Sequence, residues 1–153
     1  MASEFRLIGD VELKAKLLGL QKNAASKIMR PAVSKGCRVI RKAVSDKLTP
    51  GNVLSQEATG LMRKALRIKV SRRRKDNDSY GKVYVSRKIM RWEPQYGGLH
   101  VPGNVAHLVE FGHGGPHPAP AHPFMRPSLD EKRGAALTEV ENEARKRLSE
   151  MAR

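Results

Sequence analysis

The sequence predicts an α+β fold: two N-terminal helices, a small antiparallel β-sheet with a long hairpin, and a long C-terminal helix. Three observations carry this. Apolar residues recur every three or four positions across residues 10–48, a helical period. The period falls to two around residues 67–71 and 82–86, a strand period. After residue 128 the helical period returns. The 153 residues are expected to form one domain, with a basic helical part over 10–48, a sheet part over 61–112, a Pro/Gly/His loop over 113–127 and a terminal helix over 128–151.

In the first helix Leu13, Leu17, Leu20, Ala24 and Ile28 share one face, and Asp10 supplies an N-cap. Pro31 suits the first turn of a second helix, in which Val33, Cys37, Ile40, Val44 and Leu48 repeat the spacing. Lys35, Arg38, Arg41, Lys42 and Lys47 make its outer face basic, and Thr49, Pro50, Gly51 and Asn52 end it. Residues 61–66 add a short helical turn. Ile68 and Val70 then alternate with Arg67, Lys69 and Ser71, and Val83 and Val85 alternate with Lys82, Tyr84 and Ser86. The turn formers between them predict a hairpin with a long basic tip. Residues 91–104 are punctuated by Pro and Gly and read as a loop with at most a brief strand. In the terminal helix Ser128 and Glu131 have capping-box spacing. Leu137, Val140, Ala144, Leu148 and Met151 form its apolar stripe.

Composition narrows the function classes. Aromatic residues make up 5%, so the core is expected to be aliphatic. No apolar run reaches the roughly 18 residues of a membrane span, and the N-terminus lacks the pattern of a secretory signal. A single cysteine, Cys37, excludes an intrachain disulfide and fits a reducing compartment. The net charge of +15 is uneven: residues 1–91 hold 23 Lys/Arg and 7 Asp/Glu, while residues 92–153 hold 7 and 8. A field of this kind attracts polyanions or acidic protein surfaces, or keeps the chain soluble.

The densest punctuation lies in residues 107–131, HLVEFGHGGPHPAPAHPFMRPSLDE. All five histidines, His100, His107, His113, His117 and His122, fall close to Glu110. Their spacing does not suit a metal site: His113 and His117 are four apart, but the Gly/Pro sequence between and around them forbids a helix. Ser86, Ser128 and Cys37 have no nucleophile motif around them, and the glycines match no phosphate-binding pattern. The sequence thus offers no enzyme and no cofactor. Arg72, Arg73, Arg74 and Lys75 are the strongest nucleic-acid signal, four adjacent cations suited to phosphates rather than bases. Tyr80, Tyr84 and Trp92 read as too few and too scattered for a stacking platform.

Phe111, Phe124 and Met125 sit among glycines and prolines, and two roles stand open for them. They anchor the loop on the core, or they let it pack on a neighbouring subunit. Prolines 116, 118, 120, 123 and 127 lower the entropy of the unfolded loop and favour a stiff, extended arm.

Four segments in order resemble a known family: the basic helical N-terminus, Thr59-Gly60-Leu61-Met62-Arg63-Lys64-Ala65-Leu66, then Ala106-His107-Leu108-Val109-Glu110-Phe111-Gly112, then Ala121-His122-Pro123-Phe124-Met125-Arg126-Pro127-Ser128. The pattern covers residues 10–150 and resembles the neck or tail-completion proteins (head-tail connector, tail-component family) of long-tailed double-stranded DNA bacteriophages. Residues 87–104 are longer than the usual link, and the loop after Gly112 is richer in His and Pro. The resemblance implies a virion structural protein at the head-tail junction, assembled in the host cytoplasm. It implies a sixfold or twelvefold ring around the DNA channel, against head-completion and tail-tube or tail-terminator rings. On this reading Phe111, Gly112, His113, His117, His122, Phe124, Met125 and Arg126 make the subunit contact. Arg72, Arg73, Arg74 and Lys75 face DNA or an acidic partner. The alternative is a nonspecific nucleic-acid-binding protein; a metal-dependent enzyme stands third.

Overall fold

A computed structural model describes residues 3–5, 22–48, 56–72, 79–93, 98–116 and 118–151. In chain order these form β1 (Ser3–Phe5), α1 (Lys22–Lys47), α2 (Gln56–Ala65), β2 (Leu66–Arg72), β3 (Ser79–Val85), β4 (Arg91–Glu93), β5 (Gly98–His100), α3 (Pro102–Phe111) and α4 (Met125–Met151). The fold is α+β.

The centre of the molecule is α1. Val33, Cys37, Ile40, Val44 and Leu48 are all buried, as their spacing predicts, and Ile28 joins them. Ala32 and Ala43 widen the buried arc. The arc is wide because α1 has two neighbours: α4 lies along one side and the β2–β3 pair along the other. Glycine sets both distances. A Cβ on Gly36 would stand 2.5 Å from Val140 Cγ2 and 2.8 Å from the Ala136 carbonyl oxygen, so this position lets α4 close on α1. A Cβ on Gly81 would overlap Cys37 Sγ and approach Val33 Cγ1 to 2.8 Å, so this one lets α1 close on the sheet.

The expected break at Pro31 does not occur. α1 runs through it as one helix from Lys22 to Lys47. An interior proline forfeits one backbone hydrogen bond and costs roughly 3 kcal/mol. Burial of Ile28, Ala32 and Val33 around it offsets that cost. The Asp10 cap and Leu13, Leu17 and Leu20 lie outside the described residues, as does the end signal at 49–52.

The three-stranded sheet has the order β1-β3-β2, antiparallel throughout. Leu66 pairs with Val85, Ile68 with Val83 and Val70 with Gly81, so the apolar sets of both strands turn to α1. Helix α2 begins at Gln56, earlier than expected, and Leu66 is already strand. The Ser86 amide donates to the Ala65 carbonyl at 2.8 Å and ties the end of α2 to the exit of β3.

Two expectations need correction. Residues 91–111 hold an antiparallel two-stranded hairpin, β4–β5, and then helix α3, not a loop followed by more sheet. Pro102 at the start, Ala106 and Glu110 form the buried side of α3, four residues apart. The terminal helix starts at Met125, three residues before the expected cap. Ser128 lies inside its first turn, buried, and its hydroxyl donates to the Phe124 carbonyl at 2.6 Å. Glu131 accepts from Lys47 of α1 at 2.6 Å instead of reaching back along its own helix. Of the expected stripe Val140 and Ala144 are fully buried, Leu137 and Leu148 are partly buried and Met151 is exposed; Ala136, which the stripe did not include, is fully buried. Lys35 adds ion pairs to Glu139 at 3.2 Å and Glu143 at 3.4 Å across the same α1–α4 seam.

Candidate functional site

The two most specific segments of the chain, 106–112 and 121–128, meet through one carboxylate. Glu110 is buried near the end of α3. Its Oε2 accepts from the backbone amides of Phe124 at 2.8 Å and Met125 at 2.9 Å, and its Oε1 from that of Arg126 at 3.0 Å. These are first-turn donors of α4, which have no partner within the helix. A carboxylate also suits the positive end of the helix dipole. Glu110 therefore caps α4 from fourteen residues away, in the role that the sequence assigns to Ser128 and Glu131. Three amides occupy its oxygens, so it is a structural acceptor rather than a metal ligand. No three or more His, Cys, Asp or Glu are grouped to hold a metal ion among the described residues.

The loop between the motifs is closed at its base. The His122 amide donates to the Val109 carbonyl at 2.8 Å, and His113 and Ala119 exchange two backbone hydrogen bonds of 3.0 Å. The expected extended arm is thus a compact loop pinched at residues 113 and 119. Gly112 turns the chain out of α3 at φ 71°, in the left-handed region. A Cβ there would also meet the Ala119 carbonyl oxygen and the Ala121 amide nitrogen at 2.8 Å. Beyond the pinch, residues 113–116 and 118–121 are exposed.

The structure sorts the expected contact residues. Phe124 (1% exposed) and Met125 (6%) belong to the core. They can serve a contact only by fixing what lies above them, which decides their role as anchors. Phe111 is 40% exposed, and the Arg126 guanidinium carbon sits 4.6 Å from the centre of its ring. Gly112, His113, His122, Phe111 and Arg126 therefore share one rim around the loop base. His117 lies outside the described residues. The His113 ring nitrogen Nδ1 is 3.1 Å from the Gly114 carbonyl oxygen.

The basic run divides differently. Arg72 ends β2, paired with Ser79, and Arg73, Arg74 and Lys75 lie outside the described residues. Two surfaces escaped the sequence reading. On the hairpin β4–β5, Trp92 pairs with Leu99, and both are more than half exposed, as is Met90. On the sheet face turned away from α1, Lys69, Ser71, Tyr80, Lys82 and Tyr84 line a shallow groove of about 280 Å³. Tyr80, Lys82 and Tyr84 at alternate positions were the available signal for the second.

Cys37 is fully buried, and burial pushes its thiol up to about 11. It acts as a small core residue. Hydrogen bonds from Lys47 and from Arg147 hold Glu131 and Glu143 respectively below the usual carboxylate range, and Lys35 further lowers Glu143. Among the described residues no helix is long and apolar enough to cross a membrane.

The architecture is that of a small α+β domain whose exposed loop is locked to the start of its terminal helix. No protein-family model, curated protein or solved structure matches the chain.

Proposed function

We infer that the chain is a nonenzymatic neck or tail-completion protein of a long-tailed bacteriophage, a ring-forming virion component at the head-tail junction. The observation that carries this is the Glu110 lock. It joins the two motifs on which the resemblance to that family is most specific. A side chain whose carboxylate accepts from the backbone of the next element holds the two motifs rigidly together, which suits a presenting surface.

A closed ring needs two different surfaces on each subunit. The rim of Phe111, Gly112, His113, His122 and Arg126 supplies one. The exposed Trp92–Leu99 pair on β4–β5 supplies the other, since large apolar groups left in water favour burial by a partner. The neighbours in the assembly are head-completion and tail-tube or tail-terminator rings, with sixfold or twelvefold symmetry and no cofactor. The chain assembles in the host cytoplasm and remains in the virion.

The test is genetic and biochemical. Deleting the gene should leave DNA-filled heads and separate tails in the lysate, and purified full chain added back should restore infectious particles. Normal infectivity without the chain would refute the proposal. The alternative, a nonspecific nucleic-acid-binding protein, is favoured by the excess of cations in residues 1–91. It predicts joined, normal particles in the same lysate.

A further inference from the structure

We propose that Trp92 of one copy of this chain stacks on Arg126 of the next, so that the hairpin β4–β5 docks head to tail on the rim at the far end of α3. This deepens the ring-forming reading above and rests on it for the head-to-tail form. On the hairpin Trp92 and Leu99 stand opposite each other, and Met90 lies two residues before Trp92; all three are more than half exposed. His100, next to Leu99, has its ring nitrogen Nε2 buried, so the alternate face of β5 turns inward and the apolar pair outward. A two-stranded hairpin is only marginally stable by itself in water. Large apolar groups held in water beside one another on such an element form a surface that gains by being covered.

Three properties of the chain make a second copy the occupant. The first is chemical. The central carbon of the Arg126 guanidinium lies 4.6 Å from the centre of the Phe111 ring, so one face of the planar cation is already on an aromatic group. The residue is exposed, which leaves its other face to a second aromatic group. Tryptophan is the strongest such partner, and the chain has one, Trp92. The second property is geometric. The hairpin leads into the first turn of α3, and the rim follows its last turn. The ten residues of α3 make a rod about 15 Å long. Glu110 fixes Arg126 at the rim end through its backbone amide. Each copy thus carries the two halves of the contact at opposite ends of one helix. Filling one half leaves the other for the next copy, as a heterologous contact requires. The third property is charge. Residues 1–91 hold 23 Lys/Arg and 7 Asp/Glu, so copies repel through that part. Residues 92–153, which carry Trp92, Leu99, Phe111 and Arg126, hold 7 and 8. Two copies meet with least repulsion through this part, whereas an acidic partner is drawn to the other.

Trp92 is the single tryptophan of the chain, so its fluorescence reports the contact. The purified full chain is followed by sedimentation velocity and by tryptophan emission over a dilution series. Association should shift the emission to the blue as the indole leaves water, and should strengthen as added salt screens the repulsion between copies. Trp92→Ala and Arg126→Ala should each weaken association about tenfold or more. Arg126→Lys should not rescue it, because an ammonium keeps the charge but has no flat face. Mixing is the sharpest test. Trp92→Ala keeps an intact rim and Arg126→Ala an intact hairpin. Neither should associate alone, and their equimolar mixture should give a one-to-one dimer and nothing larger. If Trp92→Ala lowers the melting temperature of the dilute protein, Leu99→Glu takes its place in the mixture. A mixture that stays monomeric, a wild-type chain that stays monomeric up to about 1 mM, or association with unchanged emission would each overturn the proposal. So would association that weakens as salt is raised, which would place it between the basic part and an acidic surface. The measurements need no virion. Their failure would leave a place at the neck standing, with other surfaces in the ring, and normal infectivity without the chain would leave this contact standing.

Discussion

Replacing Glu110 is the most informative single change in the molecule. In Glu110→Ala the amides of Phe124 and Met125 lose their acceptor while remaining buried, and the Arg126 amide, nearer the surface, can turn to water. An orphaned buried donor costs about 1–3 kcal/mol. Two of them, with the lost attraction to the helix dipole, amount to about 3–5 kcal/mol. In a domain of this size each kcal/mol is worth about 2–4 °C, so the melting temperature should fall by roughly 10 °C. Glu110→Gln keeps one oxygen for two amides but turns an NH₂ group toward the third, and should cost about 1–2 kcal/mol. Urea denaturation gives the size of the effect, and hydrogen exchange gives its location. The amides of residues 124–126 should be protected in the native chain and exposed first in the alanine variant. A loss below about 1 kcal/mol with unchanged protection at these amides would refute the lock.

Other predictions follow from the packing. Gly36→Ala should destabilise by about 1–2 kcal/mol, because the clash with the Ala136 backbone outweighs the roughly 1 kcal/mol gain in helix propensity. Gly134→Ala, in the same pair of helices but with open space around it, should stabilise by about 0.5–1 kcal/mol; urea midpoints decide both. Cys37 should resist thiol reagents at pH 8 until the protein unfolds. Because its folded value is raised to about 11 from 9.0, stability should decline as pH rises from 9 toward 11, and Cys37→Ala should remove that slope. Glu131 and Glu143 have lowered values when folded, so their contribution is present above the ordinary carboxylate values and is lost as pH falls below them through the lowered folded values. The double Gln variant should therefore show a flatter acid limb in a stability-pH profile.

What the sequence makes legible is what has a period. The α1 stripe from Val33 to Leu48 and the alternation of Ile68, Val70, Val83 and Val85 map directly onto buried faces. The failures are of three physical kinds. At Pro31, packing on two sides overrode a local helix breaker. At residues 102–111, a short apolar run next to glycine was compatible with strand and helix alike, and only the four-residue spacing of Pro102, Ala106 and Glu110 pointed to a helix. At the start of α4, the cap comes from a side chain fourteen residues upstream, and a capping rule confined to neighbouring residues cannot find it. The importance of the 107–131 stretch was legible, but its mechanism was not: an arm was expected where the chain folds a loop pinched at its base and locked by a carboxylate.

The central claim is a place in the virion. It is tested most directly by purifying the phage particles released by cells that carry the gene, measuring the chain's copy number in them by quantitative mass spectrometry, and imaging the head-tail junction by cryo-electron microscopy. The account predicts six or twelve copies per particle, in a ring at the junction with the 112–123 loop between adjacent subunits. Absence of the chain from purified particles, or its presence only in the head interior or distal tail, would contradict it.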